Sequence, residues 1–174
     1  MSAVFETIRL VPWLFGLYLV WLTAGAIDFY LHKRSNLRMT SGVRESALHG
    51  GQLGCVGLGV VAWLSFASTW FLVATLLLLA VVHAVMAYFD TSTADGIRRI
   101  TPVEQHIHSV LDACPWIFTA GVALSVESNW QLEWRPRPAS IWIALMVPAV
   151  LLVVLPWIIE FVAALRFRAE SQSK

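Results

Sequence analysis

Five long runs of apolar residues, separated by short polar stretches, dominate the pattern along this chain. Each run is close to the length of about 20 residues that a helix needs to cross a bilayer. The apolar residues are continuous and do not alternate with polar ones, as they would in the strands of a membrane barrel. The pattern therefore predicts five transmembrane helices, at residues 10–31, 47–66, 70–89, 103–126 and 141–165.

The composition agrees with a membrane protein. Hydrophobic residues make up 58% of the 174 residues, and charged residues make up 13%. That charged share is about half of the usual share in a soluble domain. The net charge of +1 offers no electrostatic footprint for a polyanion, so we expect no nucleic-acid partner. We expect one all-α domain over residues 1–174, an integral membrane bundle that contacts membrane lipid.

The Lys and Arg residues are distributed unevenly between the two sides of the predicted bundle. Nine of them fall on one side, and the other three are Arg9, Arg135 and Arg137. The nine are Lys33, Arg34, Arg38, Arg44, Arg98, Arg99, Arg166, Arg168 and Lys174. Cytoplasmic loops carry the excess of positive residues in membrane proteins. We therefore expect an inner-membrane protein of a bacterium, with its N-terminus outside and its C-terminus in the cytoplasm.

Polar residues inside the predicted spans are concentrated at the cytoplasmic ends of the first four. Each of these spans contributes one carboxylate and one histidine there: Asp28 and His32, Glu45 and His49, His83 and Asp90, and Glu104 and His108. Three pairs are four residues apart and one pair is seven apart, so both members lie on one face of their helix. Because the chain reverses direction between spans, all four pairs return to the same leaflet. Side chains that converge in this way build metal sites inside helical bundles.

Four carboxylates and four imidazoles suit two metal ions better than one. The carboxylates bring four negative charges, which two divalent cations neutralise, and unpaired charge is costly in a low-dielectric site. Imidazole and carboxylate ligands without a thiolate favour iron, manganese or zinc. We therefore expect two divalent metal ions, with iron favoured, held by these eight residues in a four-helix bundle. Asp112 and Glu160 are further candidates, as partners that orient a ligand.

The ligand layout resembles that of the ferritin-like di-iron carboxylate four-helix bundles. In that group, two helices carry a Glu and a His on one face, and two further helices add carboxylates. The matching positions here are Glu45 with His49 and Glu104 with His108. The spacing from Glu to His is four residues in this chain, where that group uses three. The resemblance implies a di-iron centre.

Some of these residues also have an ordinary structural interpretation. Thr101 to Glu104 form a capping box, with proline at the first helical position. Glu45 is placed to stabilise the first turn of its helix through the helix dipole, and Asp90 to be solvated at a helix end. His106 points about 200° away from Glu104 at about 100° per residue, so we exclude it from the site.

Small residues and prolines predict how some of the helices pack. Gly50 and Gly54 form a small-xxx-small pair, which favours close approach of the second span to a neighbouring helix. Pro115, Pro148 and Pro156 predict bends in the fourth and fifth spans.

From these patterns we expect an integral membrane dimetal oxidoreductase that acts on a lipid-soluble substrate or quinol from the cytoplasmic side, with a membrane quinone as a candidate partner. The chain contains no flavin, nicotinamide or iron–sulfur motif, so an external electron donor would supply its electrons. The alternatives are a divalent metal transporter or metal-binding membrane protein, a zinc-dependent membrane hydrolase and a b-type cytochrome.

Overall fold

Five long helices joined by short connections make up most of the chain in this computed structural model. It describes residues 2–36, 42–126 and 128–173, with side chains from residue 12 onward. The helices are α1 (Ser2–Ser35), α2 (Gly42–Ser65), α3 (Trp70–Ala94), α4 (Pro102–Ala123) and α5 (Ala139–Gln172). The last of these is α-helical except for a π-helical stretch at Val150–Val154.

Four of these helices are long and apolar enough to cross a bilayer, namely residues 12–35 of α1, and α2, α3 and α5. Four of the five predicted spans are therefore confirmed as helices of the required length and composition. The fourth predicted span, 103–126, also forms a helix. Its first three turns contain Glu104, His108 and Asp112, so no stretch of α4 is as apolar as the spanning stretches of the other four helices, and its crossing stays a prediction.

The predicted orientation is not decided by the fold. The side chain of Arg9, and the whole of Arg38 and Lys174, lie outside the described residues. The assignment of the N-terminus to the outside and of the C-terminus to the cytoplasm stays a prediction.

The helices pack in an order that differs from their order along the chain. Helix α1 packs on α4, α4 packs on α3, and α3 packs on α2. Helix α5 then packs on α2 and, mainly through its π-helical stretch, on α1. The fifth helix is therefore a full member of the arrangement, and it lies beside the polar ends of both α1 and α2.

The close approach of α2 and α5 depends on one glycine. A Cβ atom at Gly50 would lie 2.3 Å from the ring of Trp157, which leaves no room for a side chain there. The indole nitrogen of Trp157 donates a hydrogen bond of 2.8 Å to the backbone carbonyl of Ser46. A Cβ at Gly54 would meet nothing within 4 Å, so only the first member of the predicted glycine pair lies in a tight contact.

The π-helical stretch of α5 lies between Pro148 and Pro156, where the sequence predicted bends. Proline lacks a backbone N–H, which interrupts the hydrogen-bond ladder of an α-helix. Val153, inside this stretch, is 1% exposed, and a Cβ atom at Gly25 of α1 would lie 2.8 Å from its Cγ1. The irregular turn therefore packs tightly on α1, close to the polar end of that helix.

Candidate metal centre

Four side chains from three helices converge at one end of the arrangement. They are Asp28 and His32 of α1, His49 of α2 and His108 of α4, and each offers one ligand atom within 4.8 Å of the others. All four are buried. Metal ions of the kind that these ligands favour bind at about 2.1 Å, so two ligands of one ion lie up to about 4.2 Å apart. A buried group of one aspartate and three histidines, with its ligand atoms within 4.8 Å of one another, could hold a metal ion after side-chain shifts of a few tenths of an ångström.

Asp28 lies at the centre of this cluster. Its Oδ1 is 3.0 Å from Nε2 of His108, and its Oδ2 is 3.0 Å from Nε2 of His49. Nε2 of His32 is 3.5 Å from the same Oδ2. One carboxylate therefore faces three imidazole nitrogens, each through Nε2, and its side chain is only 1% exposed.

Two glutamates approach the cluster from the side of His32. Nε2 of His32 is 4.0 Å from Oε1 of Glu45 and 3.9 Å from Oε1 of Glu104. It has no hydrogen-bond partner among the described residues. His32 therefore has an imidazole nitrogen that faces three carboxylates at spacings compatible with a shared cation.

The other nitrogen of two of the histidine rings faces a further carboxylate. Nδ1 of His32 is 3.0 Å from Oε2 of Glu160, and Nδ1 of His49 is 3.3 Å from Oδ2 of Asp90. Gln52 donates a hydrogen bond of 3.2 Å to that same oxygen of Asp90. Histidines that bind metals commonly donate their second N–H to a carboxylate, which leaves the other nitrogen free to act as the ligand. Glu160 therefore lies where it orients Nε2 of His32 toward the cluster, whereas Asp90 contacts Nδ1 of His49 at ion-pair distance without hydrogen-bond geometry.

Arg98, from the connection between α3 and α4, is buried between the two glutamates. Its Nη2 lies 2.5 Å from Oε1 of Glu45 and 2.5 Å from Oε1 of Glu104, and its side chain is 3% exposed. Burial lowers the pKa of this guanidinium, but its hydrogen bonds to the two carboxylates and their charges outweigh burial. The pKa of Arg98 therefore lies above its ordinary value, and the side chain is a permanent cation at the edge of the cluster.

Glu104 has a structural function as well as a place beside His32. Thr101 Oγ1 accepts a hydrogen bond of 3.2 Å from the backbone of Glu104, and Glu104 Oε2 accepts one of 3.4 Å from the backbone of Thr101. The capping box predicted from the sequence is therefore present. It uses one oxygen of Glu104 and leaves the other directed at Arg98 and His32.

Eight of the ten predicted site residues form two groups. Asp28, His32, His49 and His108 converge on one point. Glu45, Glu104, Asp90 and Glu160 surround them, at the distances given above. Asp112 is partly buried on α4 and interacts electrostatically with His108. His106 is exposed, as its position around α4 predicted.

His83 is the predicted ligand that does not join the converging group. Its side chain is 2% exposed and lines an apolar cavity of about 60 Å³ between α1, α2, α3 and α4. The cavity is also lined by Leu76 and Ala80 of α3 and by the two free cysteines, Cys55 and Cys114. Nδ1 of His83 has no hydrogen-bond partner among the described residues. Ligation by His83 stays a prediction that the geometry does not favour.

Sequence reasoning missed two residues at this site. It used Arg98 only to set the orientation, and it left Gln52 out. Arg98 and Arg99 are adjacent in a short connection, and the pattern does not distinguish the buried one from its exposed neighbour. The one available signal was their position shortly before Glu104, in the connection that leads into α4.

Comparison with protein-family models, with curated proteins and with solved structures found no match to this chain.

Proposed function

We propose that this protein is a membrane-embedded dimetal oxidoreductase, with iron as the favoured metal, that acts on a lipid-soluble substrate. The observation that carries the proposal is the convergence of three imidazole Nε2 atoms on the two oxygens of Asp28. Two of those rings are backed by carboxylates on their other nitrogen. Converging imidazoles with carboxylate partners are the usual construction of a metal site.

The proposed ligands divide into two sets that meet at Asp28. The first ion would be held by Asp28, His49 and His108, since Nε2 of each of these two histidines lies 3.0 Å from an oxygen of Asp28. His32, Glu45 and Glu104 would hold the second ion, with Asp28 between the two. Asp90 and Glu160 would then orient His49 and His32 rather than bind an ion themselves, and His83 is left out of the set.

The charges of the buried site support two divalent cations. The four carboxylates named from the sequence balance the charges of two such ions. Glu160 adds one negative charge and Arg98 adds one positive charge, so these two additions cancel. A neutral total suits a site in a low-dielectric environment, where an unpaired charge is costly.

The geometry favours this function over a b-type cytochrome. The ring centroids of His32 and His49 are 4.7 Å apart, and those of His49 and His108 are 6.2 Å apart. The three rings surround Asp28 at hydrogen-bond distance, which leaves no plane between two of them for a porphyrin. A transporter would need a polar path beyond the cluster, whereas the adjacent cavity is lined almost entirely by apolar side chains.

The orientation predicted from Lys and Arg places this end of the arrangement at the cytoplasmic leaflet. Under that orientation, the electron donor is a cytoplasmic or membrane partner, and the bilayer supplies the substrate. Iron held by imidazole and carboxylate would provide the redox chemistry.

The experiment that tests this proposal is elemental analysis of the detergent-purified protein and of two matched variants. We expect two iron or manganese ions per chain in the natural protein. His108→Ala removes a ligand of the first ion and lowers the metal content, whereas His106→Ala removes an exposed histidine of the same helix and leaves it unchanged. Bound iron would then be tested for bleaching of its near-ultraviolet absorption on reduction and for oxygen consumption with a quinol.

Other outcomes would overturn the proposal. Two zinc ions per chain and no redox response would favour a hydrolase or a transporter, which uptake of zinc into proteoliposomes would distinguish. No metal after reconstitution with iron, manganese and zinc would reduce the cluster to a buried polar network.

A further inference from the structure

A groove between α1 and α5 opens on the outer surface of the helices and ends at the metal centre. Its walls include Phe29 and Tyr30 of α1 and Leu151, Leu152 and Ile159 of α5. Four of these side chains are strongly exposed, from 44% at Leu152 to 70% at Ile159. In a membrane-spanning arrangement, these apolar exposed walls face lipid.

The inner end of the groove is polar. It is formed by His32 and Glu160, whose contact through Nδ1 and Oε2 was described above. Oε1 of Glu160 is buried and has no hydrogen-bond partner among the described residues. A buried acceptor without a donor is costly, which points to a ligand that supplies the missing donor.

The wall of the groove is built around the irregular part of α5. Leu151 and Leu152 belong to the π-helical stretch, and Pro156 and Glu160 follow it. Single π-helical turns inside α-helices are frequent at functional sites. Here the π-helical turn is tight against α1 at Val153, and the groove lies beside that contact.

We propose that this groove binds a membrane quinol. The hydroxylated aromatic head would lie at the inner end, with one hydroxyl donating a hydrogen bond to Oε1 of Glu160. The isoprenoid tail would follow Leu151, Leu152 and Ile159 out into the bilayer. The inference rests on the proposed function and names its substrate class, because Glu160 contacts His32, one of the proposed ligands.

A quinol fits this groove better than other amphiphiles for two reasons. The unpartnered atom at the inner end is a carboxylate oxygen, which accepts a hydrogen bond from a hydroxyl group and repels the anionic head of a fatty acid or phospholipid. Phe29, Tyr30 and the aliphatic side chains of α5 form apolar walls, so a flat ring buries its faces there while its hydroxyl reaches Glu160. Lys33 and Asn36 also line the groove, at exposed positions. The occupant is thus a neutral, hydroxylated ring with a long apolar tail.

The test is photo-crosslinking of the full chain in detergent with an azido-substituted ubiquinol that carries a decyl tail, followed by peptide mapping. We expect labelled peptides from α1 around residues 29–33 and from α5 around residues 151–160. Leu152→Trp fills the groove and is expected to reduce this labelling about tenfold. Leu78→Trp is the matched control, because Leu78 is 63% exposed on α3 and lies outside the groove.

The hydroxyl contact is tested by competition. Unlabelled decylubiquinol should compete about tenfold better than its dimethyl ether, which keeps the ring and the tail but has lost the donors. In Glu160→Leu, the two competitors should be equal. Equal competition in the natural protein, labelling outside α1 and α5, or displacement of the probe by phospholipid alone would overturn the inference.

Metal content is measured on the same samples, so that the two proposals fail separately. Full metal content without labelling of the groove overturns the quinol site and leaves the dimetal centre standing. Labelling of the groove without bound metal overturns the dimetal centre and leaves the quinol site standing. If Leu152→Trp does not purify as a folded protein, Ile159→Trp replaces it, since Ile159 is the most exposed of the wall residues named above.

Discussion

Asp28 and His108 lie 3.0 Å apart, through Oδ1 and Nε2, although 80 residues separate them along the chain. One is near the end of the first helix and the other is near the start of the fourth. Their contact, repeated by His49 on the second oxygen of Asp28, joins three helices at one buried point. A carboxylate shared in this way is costly to bury without charge compensation, which a metal ion would supply.

Arg98 should compete with the second metal ion, because its guanidinium contacts the two carboxylates that would bind that ion. We expect Arg98→Met to tighten binding of the second ion by about tenfold, through removal of a competing positive charge. Stepwise titration of the metal-free protein with Fe²⁺ or Mn²⁺ measures this affinity.

Arg99→Met serves as the control for that titration, because Arg99 is the exposed neighbour in the same connection. Its titration should match that of the natural protein. Weaker binding of both ions in Arg98→Met would contradict competition between Arg98 and the second ion. It would show instead that the contacts of Arg98 with the two glutamates stabilise the site.

Glu160 should act on metal binding through His32. We expect Glu160→Gln to weaken the affinity of the second ion by about 10-fold to 100-fold, the usual cost of losing a carboxylate that orients a ligating histidine. Competition with a chelator of known affinity gives the measurement. Glu170→Gln, a change at an exposed position further along α5, should leave the affinity unaltered.

Gly50 and Gly54 are one helical turn apart and should respond in opposite ways to alanine. Gly50→Ala places a Cβ against Trp157 and should destabilise the protein by about 1–3 kcal/mol through overpacking. Gly54→Ala meets open space and should be neutral or stabilising by up to about 1 kcal/mol, because alanine favours the helix. Thermal unfolding in detergent compares the two, and equal effects would refute the packing that we describe for α2 and α5.

His83 should be dispensable for metal binding. Its ring faces an apolar cavity, and Nδ1 is buried without a hydrogen-bond partner among the described residues. We expect His83→Leu to keep the full metal content and to change the stability by about 1 kcal/mol or less, since a poorly satisfied polar group is replaced by an apolar one. Loss of an ion from this variant would restore His83 to the ligand set.

Much of this site follows from spacing along the chain. Pairs four residues apart, such as Asp28 and His32, share a helix face in any α-helix. Alternation of direction between successive helices brings such pairs to one end, whatever the packing. The capping box at Thr101 and the exposure of His106 follow from the same local geometry.

Packing between helices decided which helices are neighbours and which of the predicted side chains meet at the site. Helical periodicity does not specify how far each helix rotates about its axis or which helix becomes its neighbour, and these depend on how side chains of particular volume fit together. Gly50 admits Trp157, so α5 lies next to α2 and brings Glu160 to His32. His83 and Asp90 share one face of α3 but lie about 10 Å apart along its axis, so Asp90 faces His49 whereas His83 lines an apolar cavity. The burial of Arg98 between two glutamates from different helices is likewise a property of the assembled structure, because no local pattern couples residues so distant along the chain.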